Sequence, residues 1–115
     1  MLADLQGAVK KEKMKGSTIL ILMDANTLHD AEDINKFHRT TGTSCLATAA
    51  ITGKLPRTYD RGADNACIDL AFGCDKVLEA LVGLQYEPFY SNGVYDHRGL
   101  ILDLNIQKLL GGACA

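Results

Sequence analysis

The sequence predicts an α/β fold in which helices cover a sheet. Two observations carry that expectation: an unbroken apolar run, Ile19 to Met23, bounded by turn-forming residues, and an alternation of helical and extended patterns along the rest of the chain. At 115 residues the chain suits one domain.

The opening segment has Leu2, Leu5 and Val9 at i, i+3 and i+7, an apolar stripe on a helix, with Lys10, Lys11, Glu12 and Lys13 turned to solvent and Gly16 as punctuation. Residues 18 to 23 then read as a strand covered on both faces, because nothing polar interrupts the run. Asp30 is placed to cap a helix over roughly 31 to 38, where Ile34 and Phe37 supply a short apolar face. The stretch from Thr40 to Pro56 mixes helix formers with β-branched residues and reads as helical or irregular. Loop residues around Gly62 precede a strand at about 66 to 72, and Val77, Leu78 and Leu81 in "DKVLEALVGL" have helical spacing. A loop broken by Pro88, Asn92 and Gly93 leads to a last strand, "LILDLN", and residues 106–115 form a loose tail.

Composition narrows the function classes. The chain is 47% apolar and 23% charged with a formal charge of -2, which fits neither a disordered segment nor a nucleic-acid coat protein with a large basic excess. Cys45, Cys67, Cys74 and Cys114 contain no CxxC pair and no His at zinc-finger spacing, so reduced thiols are expected rather than a structural zinc site. No segment approaches the length of a membrane span, and "MLADLQGAVKKEKMKG" lacks the apolar core of a signal peptide; an intracellular location is the expectation.

Polar residues gather at the strand ends. Asp24 and Asn26 follow the first apolar run directly, as an Asx turn or as a reactive pair. Asp69 lies between Ile68 and Leu70, and the period of two directs it away from both, onto a wet face or into a polar site that needs a partner. Asp96 and His97 stand just before the last strand. Strands laid side by side bring these ends together, and His97 becomes the partner Asp69 requires. A carboxylate bonded to one imidazole nitrogen sets the tautomer and raises the basicity of the other. Arg57, Arg61 and Arg98 flank this group and suit phosphate contact or solvent; Tyr59 and Tyr95 suit packing or stacking on a base. His29 and His38 fall on polar helix edges, where exposure is expected.

Three stretches, "ILILMDAN", "YDRGADNACIDLAFG" and "VYDHRGLILDL", resemble in order the Gly-Asp-x-Asn strand end, the Ile-Asp strand and the Ser-Asp-His strand start of the endonuclease/exonuclease/phosphatase superfamily. The resemblance covers residues from about 17 to 105 and rests on order and spacing, since each motif is short. It implies the C-terminal half of a four-layer α/β/β/α sandwich, one mixed sheet with helices on its outer face, the whole chain 1–115 forming a single partial domain. It implies Mg2+-dependent, or Mn2+-dependent, attack of water on a phosphodiester or phosphomonoester, with nucleic acid or another phosphoester as substrate. Asp24 and Asn26 match the pair that positions water and the scissile phosphate. Asp69 matches the carboxylate that orients the histidine, here His97, and Asp96 the acid that holds the metal. Arg61 and Arg98 are the phosphate-binding candidates.

Met23 stands where the superfamily has Gly, and Tyr95 where it has Ser. Superfamily members are longer, and their first half supplies a metal-binding Glu with no counterpart here. An open inner sheet face is the further consequence. Leaving about 500 Å² of apolar surface wet forfeits on the order of 12 kcal/mol, comparable with the net stability of a domain. A separate N-terminal half, a second copy, or the chain's own helices must then cover it. A catalytically inactive remnant or interaction module, and an unrelated small α/β binding domain, are the alternative readings.

Overall fold

The computed structural model describes residues 2–25, 27–60, 67–90 and 96–110. The expectations placed on Asn26, Arg61, Gly62, Tyr95 and Cys114 lie outside these residues. The described chain is an α/β protein with two small antiparallel sheets and helices packed on them.

Helix α1 (Leu2–Met14) buries Val9 and lays Leu2 and Leu5 against the core, as the spacing requires. It ends at Gly16, whose φ of 82° an L side chain adopts only with strain. Strand β1 (Leu20–Asp24) follows, then helix α2 (Glu32–Thr41), strand β2 (Thr43–Cys45) and helix α3 (Leu46–Ala50). Further along the chain come strand β3 (Asp69–Cys74), helix α4 (Asp75–Ala80), strand β4 (Leu81–Tyr86), strand β5 (Leu100–Leu104) and helix α5 (Ile106–Leu109).

The first sheet has the order β1-β3-β2 and the second pairs β4 with β5. All three pairings among the described strands are antiparallel and fall into two separate sheets, which corrects the expectation of one mixed sheet. β3 is the central strand, and its Leu70, Ala71 and Phe72 are buried. Phe72 meets Phe37 of α2 with ring centroids 5.7 Å apart. On the opposite face of β3, Gly73 faces Val77 of α4 and Leu46 of α3, so helices reach both faces rather than an outer face alone.

Four local expectations are corrected. β1 is not covered on both faces, because it stands at the sheet edge with Leu20 and Leu22 exposed and Ile21 and Met23 turned inward. The strand buried on both sides is β3. The residue at the start of α2 is Ala31, which makes no side-chain cap; Asp30 instead contributes its carbonyl, which accepts from the side-chain Nδ2 of Asn35. The helix expected through "DKVLEALVGL" stops at Ala80, and Leu81 to Tyr86 become β4. Leu81 and Leu84 lie opposite Leu104 and Leu102 of β5, so a distant partner converts helical spacing into a strand. Finally, the start of the supposed tail is helix α5, capped by Asn105, whose side chain accepts from the Lys108 amide.

Candidate functional site

The β1 and β3 register sets Asp24 directly opposite Asp69. Residues so paired project to the same face with their Cβ atoms about 5 Å apart, and two carboxylates in that position repel. His97 stands beside both. Its Nδ1 donates to Asp69 Oδ2 at 2.7 Å, while its Nε2 lies 3.9 Å from Asp24 Oδ2 and 4.0 Å from Asp96 Oδ1. A carboxylate only accepts, so the proton is on Nδ1 and the other nitrogen faces the remaining two acids. The hydrogen bond to Asp69 holds the His97 pKa above its ordinary value; partial burial opposes it, and the charges of Asp69, Asp24 and Asp96 add to it.

Asp24, Asp96 and His97 line one cavity of about 370 Å³ together with Tyr59 and Ile68. Four of the residues singled out from the sequence are thereby brought together: Asp24, Asp69, Asp96 and His97.

What holds them is the segment 57–60, in which the sequence marked Arg57 and Tyr59 as residues flanking the site but passed over Thr58 and Asp60. Tyr59 forms a β-bridge with His97. The Asp60 amide donates to the Asp96 carbonyl at 2.8 Å, and the Arg98 amide to the Thr58 carbonyl at 2.9 Å. Thr58 is fully buried, and its Oγ1 accepts from the backbone N–H groups of Ile68 and Asp69 at 2.9 and 3.1 Å. One threonine thus ties the His97 segment, through its carbonyl, to the start of β3, through its hydroxyl. Tyr86 of β4 adds a second tie, donating its phenol proton to the Asp69 carbonyl at 2.8 Å. Burial, with the neighbouring Cys67 thiol, pushes that phenol above its ordinary pKa, so it stays a donor. The only sequence signal for Thr58 was a β-branched hydroxyl amid loop formers, and such residues are common in loops without a buried role.

Arg98, a phosphate-contact candidate, directs two of its donors to backbone carbonyls. Its Nε donates to the Arg57 carbonyl at 2.6 Å, its Nη1 to the Glu87 carbonyl at 3.3 Å, and its guanidinium lies 4.3 Å over the Phe89 ring. It also borders a smaller pocket shared with Asp24 and Asp69. Its hydrogen bonds therefore brace the loop beside the site.

His29 and His38 are not the exposed histidines expected. His38 packs edge-on against Phe72 with centroids 4.5 Å apart and pairs its Nδ1 with Thr43 Oγ1 at 3.0 Å. His29 has its Nδ1 buried without a hydrogen-bond partner among the described residues.

Among the described residues, one group of side chains could hold a metal ion. Asp24, Asp69 and His97 each bring one possible ligand atom within 4.8 Å of the others. Asp69 is already bonded to the imidazole, which leaves the oxygens of Asp24 and Asp96 on the cavity side. One or two carboxylates with retained waters is the usual protein share of a Mg2+ site. No family model, curated protein or solved structure matches the chain.

Proposed function

We propose that the chain carries the histidine and aspartate part of a Mg2+-dependent phosphoester hydrolase, nuclease-like in its substrate. The observation behind this reading is His97, held by Asp69 at 2.7 Å while its other nitrogen points between Asp24 and Asp96. Asp69 fixes the ring and stabilises its charged form. Asp24 takes a proton from the attacking water as its oxygen bonds to phosphorus, the ester P–O bond opposite breaks, and the leaving alkoxide takes a proton from solvent. Nε2 of His97 donates toward a phosphoryl oxygen as negative charge grows there. Asp96, with Asp24 beside it, would hold the cation, which supplies charge neutralisation on the phosphoryl oxygens. Asn26 and Arg61 remain candidates for phosphate contact in the same scheme, and the half of a four-layer sandwich remains its architectural counterpart.

The test is cleavage of supercoiled plasmid DNA with Mg2+ by the purified chain, beside an Asp24→Ala, His97→Ala double variant. Loss of nicking in the variant is the expected result. Equal cleavage by the two sinks the assignment.

A second reading has its own observation. Leu20, Leu22, Val82 and Ile101 are exposed strand residues at 41%, 57%, 72% and 39% of their free surface, so both sheets present apolar side chains to solvent. An interaction module that seats a separate chain or a second copy over them would use this surface. Sedimentation as a well-behaved monomer that leaves a hydrophobic dye unbound would count against it.

A further inference from the structure

Tyr59 lies outside the acids and imidazole that the proposed reaction uses, yet its ring lies against the imidazole. Its ring sits 4.8 Å from the His97 ring, centroid to centroid, at an interplanar angle of 30°. That is the separation of an offset stack. The same two residues are joined through their backbones by the β-bridge, so the stack is set at both main chain and side chain. Asp69 constrains one edge of the His97 ring at Nδ1, which still allows rotation of the ring plane about the line of that hydrogen bond. A flat aromatic surface against the ring face removes that remaining freedom.

We infer that Tyr59 is a positioning residue for His97: its ring, and not its hydroxyl, holds the imidazole plane so that Nε2 points into the cavity between Asp24 and Asp96. This deepens the hydrolase reading and rests on it for its catalytic consequence, while its geometric content stands independently. Tyr59 and His97 line the same cavity wall, so a shift of the ring plane moves Nε2 relative to anything bound there. A displacement near 1 Å at a reacting group is enough to cost about a hundredfold in rate. The loss of a stacking partner with Asp69 still in place costs less, on the order of tenfold.

The experiment uses the full chain with labelled histidine and tyrosine rings, as wild type, Tyr59→Phe and Tyr59→Leu. In the wild type, nuclear Overhauser contacts between the Tyr59 and His97 ring protons are expected, and their absence overturns the inference without any variant. In Tyr59→Leu, the His97 ring resonances are expected to lose their ring-current displacement while those of His29 and His38 stay in place, which reports an intact fold. Tyr59→Phe is expected to keep the displacement. With bis(p-nitrophenyl) phosphate and Mg2+, kcat falls on the order of tenfold in Tyr59→Leu with KM little changed, and Tyr59→Phe restores most of it. A Tyr59→Phe chain as impaired as Tyr59→Leu overturns the inference, because the hydroxyl would then be the working group. If wild type hydrolyses no phosphodiester, the proposed function falls and the resonance measurements still decide the role of Tyr59.

Discussion

Thr58→Val is the most informative single change, because it removes one oxygen at nearly constant shape from a fully buried residue. That oxygen accepts from two backbone donors, Ile68 N at 2.9 Å and Asp69 N at 3.1 Å. Each donor left without a partner costs about 1–3 kcal/mol. Both bonds are only partly buried, so water reaches the orphaned groups in part and the lower end applies, about 2–3 kcal/mol for the pair. The added methyl recovers up to about 0.8 kcal/mol of transfer free energy. A net loss near 2 kcal/mol remains, a large share of the ~5–15 kcal/mol that holds a domain together. In urea this lowers the unfolding midpoint by about 1 M at the slope usual for small domains. Thr58→Ser is the control: it keeps the acceptor and sheds a methyl, so it loses about 1 kcal/mol. Hydrogen exchange should show the amides of Ile68 and Asp69 opening in Thr58→Val and protected in Thr58→Ser. A valine chain as stable as wild type, or a serine chain no more stable than the valine one, would refute the idea that Thr58 pins Asp69 to the His97 segment.

Two other outcomes follow from the core. Burial against Phe72 lowers the His38 pKa below 6.5, so between those two values the unfolded chain binds a proton the folded chain refuses, and stability declines as pH falls through that window. His97 has the opposite sign: its pKa is raised, so its contribution is fully present below 6.5 and fades as pH rises through the folded value. Urea midpoints measured against pH for wild type and His38→Gln separate the two, and the acid-side decline should shrink in the variant. At Gly73, an added Cβ would lie 2.8 Å from Val77 Cγ1 and 3.1 Å from Leu46 Cδ2; Gly73→Ala should cost about 1–3 kcal/mol by overpacking, and combining it with Val77→Ala should cost less than the sum of the two single changes. Additive losses in that thermal or urea comparison would exclude the clash.

What could be read from sequence was what short-range pattern determines. The run ending at Asp24, the stripe of Leu2, Leu5 and Val9, and the Ile34 and Phe37 face each specify an element by their own spacing. Leu81 and Leu84 illustrate the opposite case. They continue a helical spacing from Val77, and only the register with Leu104 and Leu102 makes them strand residues, information carried some 20 positions away. The site divides the same way. Acids at apolar strand ends were visible because an acid there is conspicuous, and Asp69 between two apolar neighbours demanded a partner. Thr58 was not conspicuous, since a Thr in a loop is ordinary, and Tyr59 was read for packing or for stacking on a base, its partner unknown until the fold lays His97 against it. The sequence likewise had no way to show that the carbonyls of Arg57 and Glu87 take two of the five N–H donors of Arg98.

The charge at the strand ends has a cost that the fold itself does not explain. Asp24 and Asp69 face each other across an antiparallel pair, and two unit charges about 5 Å apart repel by roughly 1–3 kcal/mol between the limits of bulk water and a protein surface. Asp96 adds a third acid within 4.0 Å of the same imidazole. Even with His97 fully charged, three carboxylates and one imidazolium leave an excess of two negative charges. A slip of one residue in the β1 register would carry Asp24 to the opposite face and relieve the confrontation, but it would also turn Ile21 and Met23 out of the core and Leu22 into it. Apolar burial therefore locks the acids in place against their own repulsion. A cation drawn to Asp24 and Asp96 would offset what His97 leaves uncompensated, and a phosphate group could then approach a site that, without that cation, would repel it.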